Sequence, residues 1–476
     1  MKIKKIEVIH HDFFGNTEFN FTDAHGQIMD NIILAGENGC GKTQLLNLIY
    51  DFSILSVHGA ESNEKYIFTV ILSEAELSKI DQALDDDKKL ESPTGEFVIT
   101  KDLQKPNNNW NRFEVKYQSR SADGTILTKT IRNAFALLGN QTTQNIFASI
   151  FSTVEINYSP KDVSTVTSKD IDENVPSSVR SGGDLATEIQ QLLIDIQDND
   201  AHELQVWVNE HIGDAPPQNI INKRITRFKN AFSQVFTNLN FSRIATENGK
   251  KKVYFKKDNQ DIDIASLSSG EKQIVFRGAF LLRNQQSAKG SVILVDEPEI
   301  SLHPIWQEKI LNYYRNLFVE ASGNQTSQIF IATHSQYVLQ SALANSGNTL
   351  ILLLSNTSGA IECKSITAPL VLPSITSAEL NYVAFNLVSN DYHIQLYGYL
   401  QNKIGTSSVK ACDNHIIAQT ALYDVSKHAK PSSHGTTTYQ TLPTFIRNAI
   451  DHPDPTHTFT PEQLRTSIEL LIQLCR

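Results

Sequence analysis

The segment Gly36-Glu37-Asn38-Gly39-Cys40-Gly41-Lys42-Thr43 constrains this chain more than any other. It follows a short apolar run, Asn31 to Leu34, and precedes Gln44 to Phe52, where apolar residues recur at helical spacing. The glycines let successive backbone N–H groups turn inward around an anion, and a helix starting at Lys42 adds the positive end of its dipole. In a strand–loop–helix context, G-x-x-x-x-G-K-[ST] is a phosphate-binding pattern. It predicts an α/β domain in which Gly36, Asn38, Gly39, Gly41 and Lys42 hold the phosphates of ATP. The Thr43 hydroxyl would ligate Mg²⁺.

A second stretch supplies the complement. "SVILVDEPEISLHP" carries an apolar strand, Val292 to Val295, that ends in Asp296 and Glu297. Two carboxylates at the end of a buried strand are costly unless they face a cation. Asp296 is the expected Mg²⁺ residue beside Thr43, and Glu297 the group that polarises an attacking water. "SQIFIATHS" is a third strand of this kind and ends near His334.

The 476 residues have room for two or three domains. A net charge of −10 argues against coating nucleic acid by bulk charge but leaves a local basic face open. Lys250, Lys251, Lys252, Lys256 and Lys257 cluster on a predicted hairpin with an Asn-Gly turn, as a solvated edge or a contact for a nucleic-acid backbone. The scattered Cys40, Cys363, Cys412 and Cys475 form no CxxC pair, as expected in a reducing cytosol. The sequence shows no signal-peptide core and no run of 18 apolar residues, so the expectation is a cytoplasmic chain with no membrane partner.

Strand patterns recur at residues 2–11, 17–23, 31–36, 65–73, 95–103, 112–118 and 151–160. Residues 161–184 read as a Ser/Thr/Asp-rich loop, and two helical stretches follow, at 184–212 and 220–236. Strands resume to about residue 366, and the tail reads as mostly helical. The domains expected are therefore 1–366, with an inserted mobile and helical region at about 161–240, and 367–476.

"LSSGEKQ", Leu267 to Gln273, lies between the phosphate loop and "VILVDE". The order phosphate loop, "LSSGEKQ", "VILVDE", "ATHS" resembles ABC-type ATPases, in particular the soluble branch shared by chromosome-maintenance and overcoming-lysogenization-defect ATPases. The resemblance implies a head of two lobes that dimerises around ATP. Ser268 and Gly270 of one subunit would then meet the γ-phosphate held by the other, and His334 would be the switch histidine. Ser269 stands where many members have glycine, and Glu271 where transporters have glutamine. His303 replaces the transporters' aspartate. The family's glutamine loop is not placed; Gln141, Gln144 and the region after Tyr158 are candidates.

The middle of the chain lacks the long heptads of a chromosome-maintenance arm. The tail lacks the D-x-D pair of a Toprim nuclease, since Asp451 and Asp454 are three apart in a proline-rich loop. "SAELNYVAFNLVSNDYHIQLYGYL" and "TLPTFIRNAIDHPDP" with "FTPEQLRTSIELLIQL" resemble the ATPase-subunit family PtuA of the two-gene Septu anti-phage system. That resemblance implies an HNH nuclease subunit as partner, nucleic acid bound through the complex, and a homo-oligomer built from dimers. The aromatics Tyr382, Phe385, Tyr392, Tyr397 and Tyr399 would anchor a partner or simply pack between helices.

Other readings of the tail stay open. Arg447 and His452 fit the R-x4-H of HEPN ribonucleases, a pattern that about one chance match satisfies in a chain of this composition. Cys412, His415, His428 and His434 form a loose set of zinc ligands without a second tight pair. A DNA-repair ABC ATPase without its own nuclease is a further alternative.

Overall fold

The computed structural model describes residues 1–55, 62–84, 89–106, 111–131, 134–139, 143, 145–154, 159–167, 178–217, 220–221, 224–233, 235–283, 290–320, 322–357 and 359–476. They form two compact units, Met1–Ser365 and Ile366–Arg476.

The first unit is built on two large sheets. An antiparallel sheet runs in the order β2 (Gly15–Asn20), β1 (Lys2–His11), β4 (Lys65–Ile71), β5 (Pro93–Asp102), β6 (Phe113–Arg120) and β7 (Ile126–Ile131). β5 and β6 alternate buried and half-buried residues, as in a sheet with one covered face. The second sheet runs β16 (Ala360–Ser365), β15 (Thr349–Thr357), β3 (Asn31–Ala35), β14 (Gln328–Ala332), β13 (Val292–Asp296), β8 (Ser149–Ser152) and β9 (Val179–Arg180). All its pairings are parallel except that of β16. β3, β13 and β14 are buried along their whole length, which explains their unbroken apolar sequences. Their parallel register brings three strand ends side by side: Val295 pairs with Ile331, and Ile331 with Ile33.

Four helices flank these three strands along the chain: Lys42–Ser53 after β3, Ser269–Arg283 before β13, Pro304–Leu317 after β13 and Gln336–Ala344 after β14. A three-stranded sheet, β10 (Leu239–Glu247), β11 (Lys250–Lys257) and β12 (Gln260–Asp263), precedes the second of them. Its first turn is the Asn-Gly turn expected from the sequence, with Asn248 and Gly249 both left-handed. A second left-handed pair, Asp258 and Asn259, adds β12, which the sequence pattern does not reveal.

The structure corrects several boundaries. The strand expected over 151–160 is β8, which begins at Ser149 and ends at Ser152; residues 155–158 lie outside the described residues. The second inserted helix is only Ile225–Ser233. The region 161–240 is not purely helical, because Val163 bridges to Lys251 and β9 extends the parallel sheet. Residues 168–177, in the middle of the expected loop, lie outside the described residues, as do Gln141 and Gln144.

The second unit is mainly helical. The helices starting at Ser377, Asn390, Val409, Leu442 and Pro461 are capped by the hydroxyls of Thr376, Ser389, Ser408, Thr441 and Thr460, each accepting a backbone N–H of the first turn. A hairpin, β17 (Ala429–His434) with β18 (Thr437–Thr441), interrupts them in a tail expected to be mostly helical. Tyr392 and Tyr397 are core residues here, while Tyr382 and Tyr399 pack partly buried at its edge.

Gly278 is the tightest point between the helices Ser269–Arg283 and Pro304–Leu317. A Cβ there would overlap the hydroxyl of buried Tyr313, which donates to the Ile274 carbonyl at 3.2 Å. Gly278→Ala is therefore expected to destabilise the chain by about 1–3 kcal/mol. Combined with Tyr313→Leu, it should cost less than the two single losses added, measured by urea unfolding.

Candidate functional site

The phosphate loop joins the end of β3 to the helix Lys42–Ser53. Its glycines are needed for shape. Gly36 has φ +143°, and a Cβ on it would overlap the Leu354 carbonyl. Gly41 has φ +97°, and a Cβ on it would press on the rings of Phe13 and Phe14. Asn38 and Gly39 lie exposed at the loop tip. Lys42 is 5% exposed, and its Nζ donates to the carbonyls of Gly36 at 2.9 Å and Glu37 at 3.0 Å. The ammonium thus lies within its own loop, and burial lowers its pKa.

Thr43 Oγ1 donates to Asp296 at 2.9 Å and 3.2 Å, joining residues 253 positions apart. Asp296 is 2% exposed. Burial pushes its carboxyl above the usual range, Glu297 adds to the rise, and Thr43, Arg277 and Lys42 oppose it. Glu297 follows in a left-handed conformation, φ +44°, and its N–H donates to the Ala332 carbonyl at 2.9 Å. Such a backbone in a residue with a side chain costs on the order of 1–3 kcal/mol, a strain typical of functional sites. The Glu297 Oε1 lies 3.5 Å from His334 Nε2. Burial and the Lys42 charge lower the His334 pKa, against the pull of Glu297.

Lys42, Thr43, Asp296, Glu297 and His334 are thus one cluster at adjacent strand ends. A glycine-shaped loop, a buried lysine and two carboxylates, one raised by burial, suit a triphosphate with a divalent cation. Thr43 and Asp296 are the residues that would hold that cation.

Ser268 and Gly270 stand apart from this cluster in their contacts. Ser268 N and Oγ donate to Glu271 Oε2 at 2.8 and 2.9 Å, while Glu271 N donates back to Ser268 Oγ at 3.3 Å. Lys257 of β11 holds the other Glu271 oxygen at 2.6 Å. Gly270 fits against the chain after Glu297, since a Cβ there would stand 2.7 Å from the Ser301 carbonyl. His303, in the aspartate position, caps the helix Pro304–Leu317.

Two residues at the site were missed in the sequence. Arg277 is fully buried and donates to the Asp296 carbonyl at 2.7 Å and to the Thr153 carbonyl at 3.0 Å. The signal was there: a lone arginine inside the apolar run "IVFRGAF" needs buried acceptors. Glu299, the third acid of "DEPE", accepts the His334 N–H at 2.6 Å.

The remaining candidates are not assembled. Lys250, Lys252 and Lys257 are paired with Asp162, Glu247 and Asp263, and Glu271, which neutralises much of the basic strand. Arg447 pairs with Asp451 at 2.7 Å, whereas His452 follows the helix end and stacks on His434 with ring centroids 4.5 Å apart. Cys412 is a core residue whose thiol burial pushes up to about 11. Among the described residues no group of three or more His, Cys, Asp or Glu could hold a metal. No helix of the described residues is long and apolar enough to cross a membrane.

Residues 141–340 match the family described as "AAA domain, putative AbiEii toxin, Type IV TA system". This segment of the chain is similar to an ATPase domain and contains "LSSGEKQ", Asp296, Glu297 and His334, while the phosphate loop lies before it. No curated protein matches the sequence. Among solved structures, an Smc head bound to the C-winged helix domain of ScpA is 14% identical, with a TM-score of 0.42 over 77% of this chain and 98% of that one. An Smc head with an extended coiled coil, bound to the C-terminal domain of ScpA derived from Pyrococcus furiosus, is 12% identical, with a TM-score of 0.41 over 77% and 96%. The SMC head domain from Thermotoga maritima is 13% identical, with a TM-score of 0.37 over 77% and 100%.

The raised Asp296 carboxyl has a testable sign. Below the ordinary aspartate pKa both folded and unfolded chains hold the proton. As pH rises, the unfolded chain releases it first, so Asp296 opposes folding, fully so above the folded pKa. Asp296→Asn, which keeps an acceptor for Thr43, is expected to raise the melting temperature of the nucleotide-free protein in neutral buffer. The gain should fade in acid, as read in melting curves across pH.

Proposed function

We propose that the chain is an ATP-binding and ATP-hydrolysing regulatory subunit of an anti-phage complex, acting on a partner HNH nuclease through ATP-dependent dimerisation of its head. The observation that carries the ATPase part is the Thr43–Asp296 hydrogen bond beside a glutamate and a histidine 3.5 Å apart. Lys42 leaves its own loop's carbonyls for the β- and γ-phosphates. Mg²⁺ at Thr43 and Asp296 would neutralise phosphate charge. Glu297 accepts a proton from the attacking water and orients it, and neutral His334 donates toward the γ-phosphate.

The dimer is supported by the place of Ser268. Its helix meets the Asp296 strand end at Arg277, and nine residues of helix amount to about 13 Å. The serine therefore suits the nucleotide of a second chain. The defence role and the HNH partner rest on the tail's resemblance to Septu ATPase subunits. The paired lysines, Arg447 held by Asp451 and His452 stacked on His434 favour chemistry in a partner over a nuclease within the chain. The test is purification with and without the neighbouring gene product, followed by DNA and RNA cleavage with and without ATP.

Lys42→Ala should weaken ATP binding by about a hundredfold or more, as measured by titration calorimetry. Lys42→Ala mixed with Ser268→Arg should regain about one working site per dimer; no regain in ATPase rate counts against a shared site. Because ATP is abundant in a healthy cell, the closed ATP state is expected to restrain the nuclease. Glu297→Gln with its partner should then cut DNA more slowly than wild type at saturating ATP, and faster cutting would reverse the sign.

A further inference from the structure

We infer that Glu299 is a positioning residue for hydrolysis, holding the His334 loop on the loop that carries Glu297. The inference rests on the ATPase reading. Two backbone ties join these loops. Glu297 N donates to the Ala332 carbonyl at 2.9 Å, and His334 N donates to Glu299 Oε1 at 2.6 Å. The first tie fixes the glutamate to the β14 end. The second fixes the histidine, two residues beyond that end, to the chain after β13. Together they leave His334 Nε2 and Glu297 Oε1 3.5 Å apart.

The usual structural work for such a carboxylate is already done by other groups. The helix Gln336–Ala344 is capped by Ser335, whose hydroxyl accepts from Tyr337 and Val338. The helix Pro304–Leu317 is capped by His303. Among the described residues Glu299 is in no ion pair; it accepts the His334 N–H, with its own N–H and the Thr333 hydroxyl also acting on it. Its Oε2 is sealed from solvent. Burial pushes its carboxyl up, and the nearby Glu297 charge pushes it further. An apolar side chain would carry neither penalty. What only an acceptor at this position supplies is the fixed backbone of His334. The turn that carries both carboxylates has left-handed Glu297 and Ser301 at its two ends. A misplacement of the imidazole of about 1 Å would lower the chemical step by on the order of a hundredfold without loosening ATP.

Steady-state ATP hydrolysis and equilibrium ATP binding by the full chain test this. Glu299→Gln keeps an amide oxygen for His334 N and should hold kcat within about threefold of wild type. Glu299→Ala should lower kcat by about ten- to a hundredfold with the ATP Kd within about twofold. In a His334→Ala background, Glu299→Ala should cost less than about twofold more, because the group it positions is gone. If Glu299→Ala fails to fold, Glu299→Met, of similar volume and without an acceptor, replaces it. Full activity of that variant overturns the inference, as does an equal loss with and without His334. His334→Ala and Glu297→Gln mark the boundary with the reading beneath. If neither slows hydrolysis, the ATPase assignment falls and this inference with it. If both do and Glu299→Ala or Glu299→Met does not, this inference alone falls.

Discussion

The burial of Asp296 is the constraint around which the first unit is arranged. A carboxylate at the end of a fully covered strand loses most of its hydration, and its raised pKa records that loss. Three groups compensate part of the cost, the Thr43 hydroxyl on its oxygens and the Lys42 and Arg277 charges nearby, while Glu297 adds to it. Thr43 reaches it because β3 and β13 flank β14 in parallel register, so that the loop after β3 opens beside the end of β13. The glycines of that loop keep it close enough, and Gly36 has no room even for a methyl group. A divalent cation binding at this point would relieve the desolvation that the fold leaves in place.

Arg277 extends the same constraint to the helix Ser269–Arg283. Its guanidinium is buried and bonds the carbonyl of Asp296 and that of Thr153 beyond β8. A buried cation held by carbonyls fixes the helix against both strand ends, because any sliding would strand its donors. Gln273 adds a bond to the Pro298 carbonyl at 3.2 Å, and Gly270 lies against Ser301. The helix is therefore not free to move relative to Asp296 and Glu297 within its own chain.

Much of this was legible in the sequence because the signals are local. The phosphate loop, the strand ending in Asp296 and Glu297, and the Asn-Gly hairpin each declare themselves within a dozen residues. The burial of β3, β13 and β14 follows from their unbroken apolar runs, whereas the adjacency of their ends comes from the strand pairing. What escaped depends on long-range pairing. Glu299 looks like another surface acid until the fold brings His334 to it. Lys257 reads as part of a solvated edge, and Glu271 as a signature position, until β11 is laid beside the helix start. β8 ends at Ser152 although the apolar alternation continues to Tyr158, so periodicity alone did not find the last paired residue. Tyr392 and Tyr397 could equally face a partner or a core, and packing of the second unit decided for the core.

The contacts of Ser268 bear on how a site of this kind is completed. Its hydroxyl and N–H are both given to Glu271, and Glu271 is in turn held by Lys257. The serine's donors are thus spent on a helix cap within the chain. A ligand oxygen could take up the same two donors only if Glu271 gave them up. The bond between Lys257 and Glu271 sets how readily the carboxylate yields. The three-stranded sheet and the start of this helix are therefore joined through one chain of contacts, Lys257 to Glu271 to Ser268.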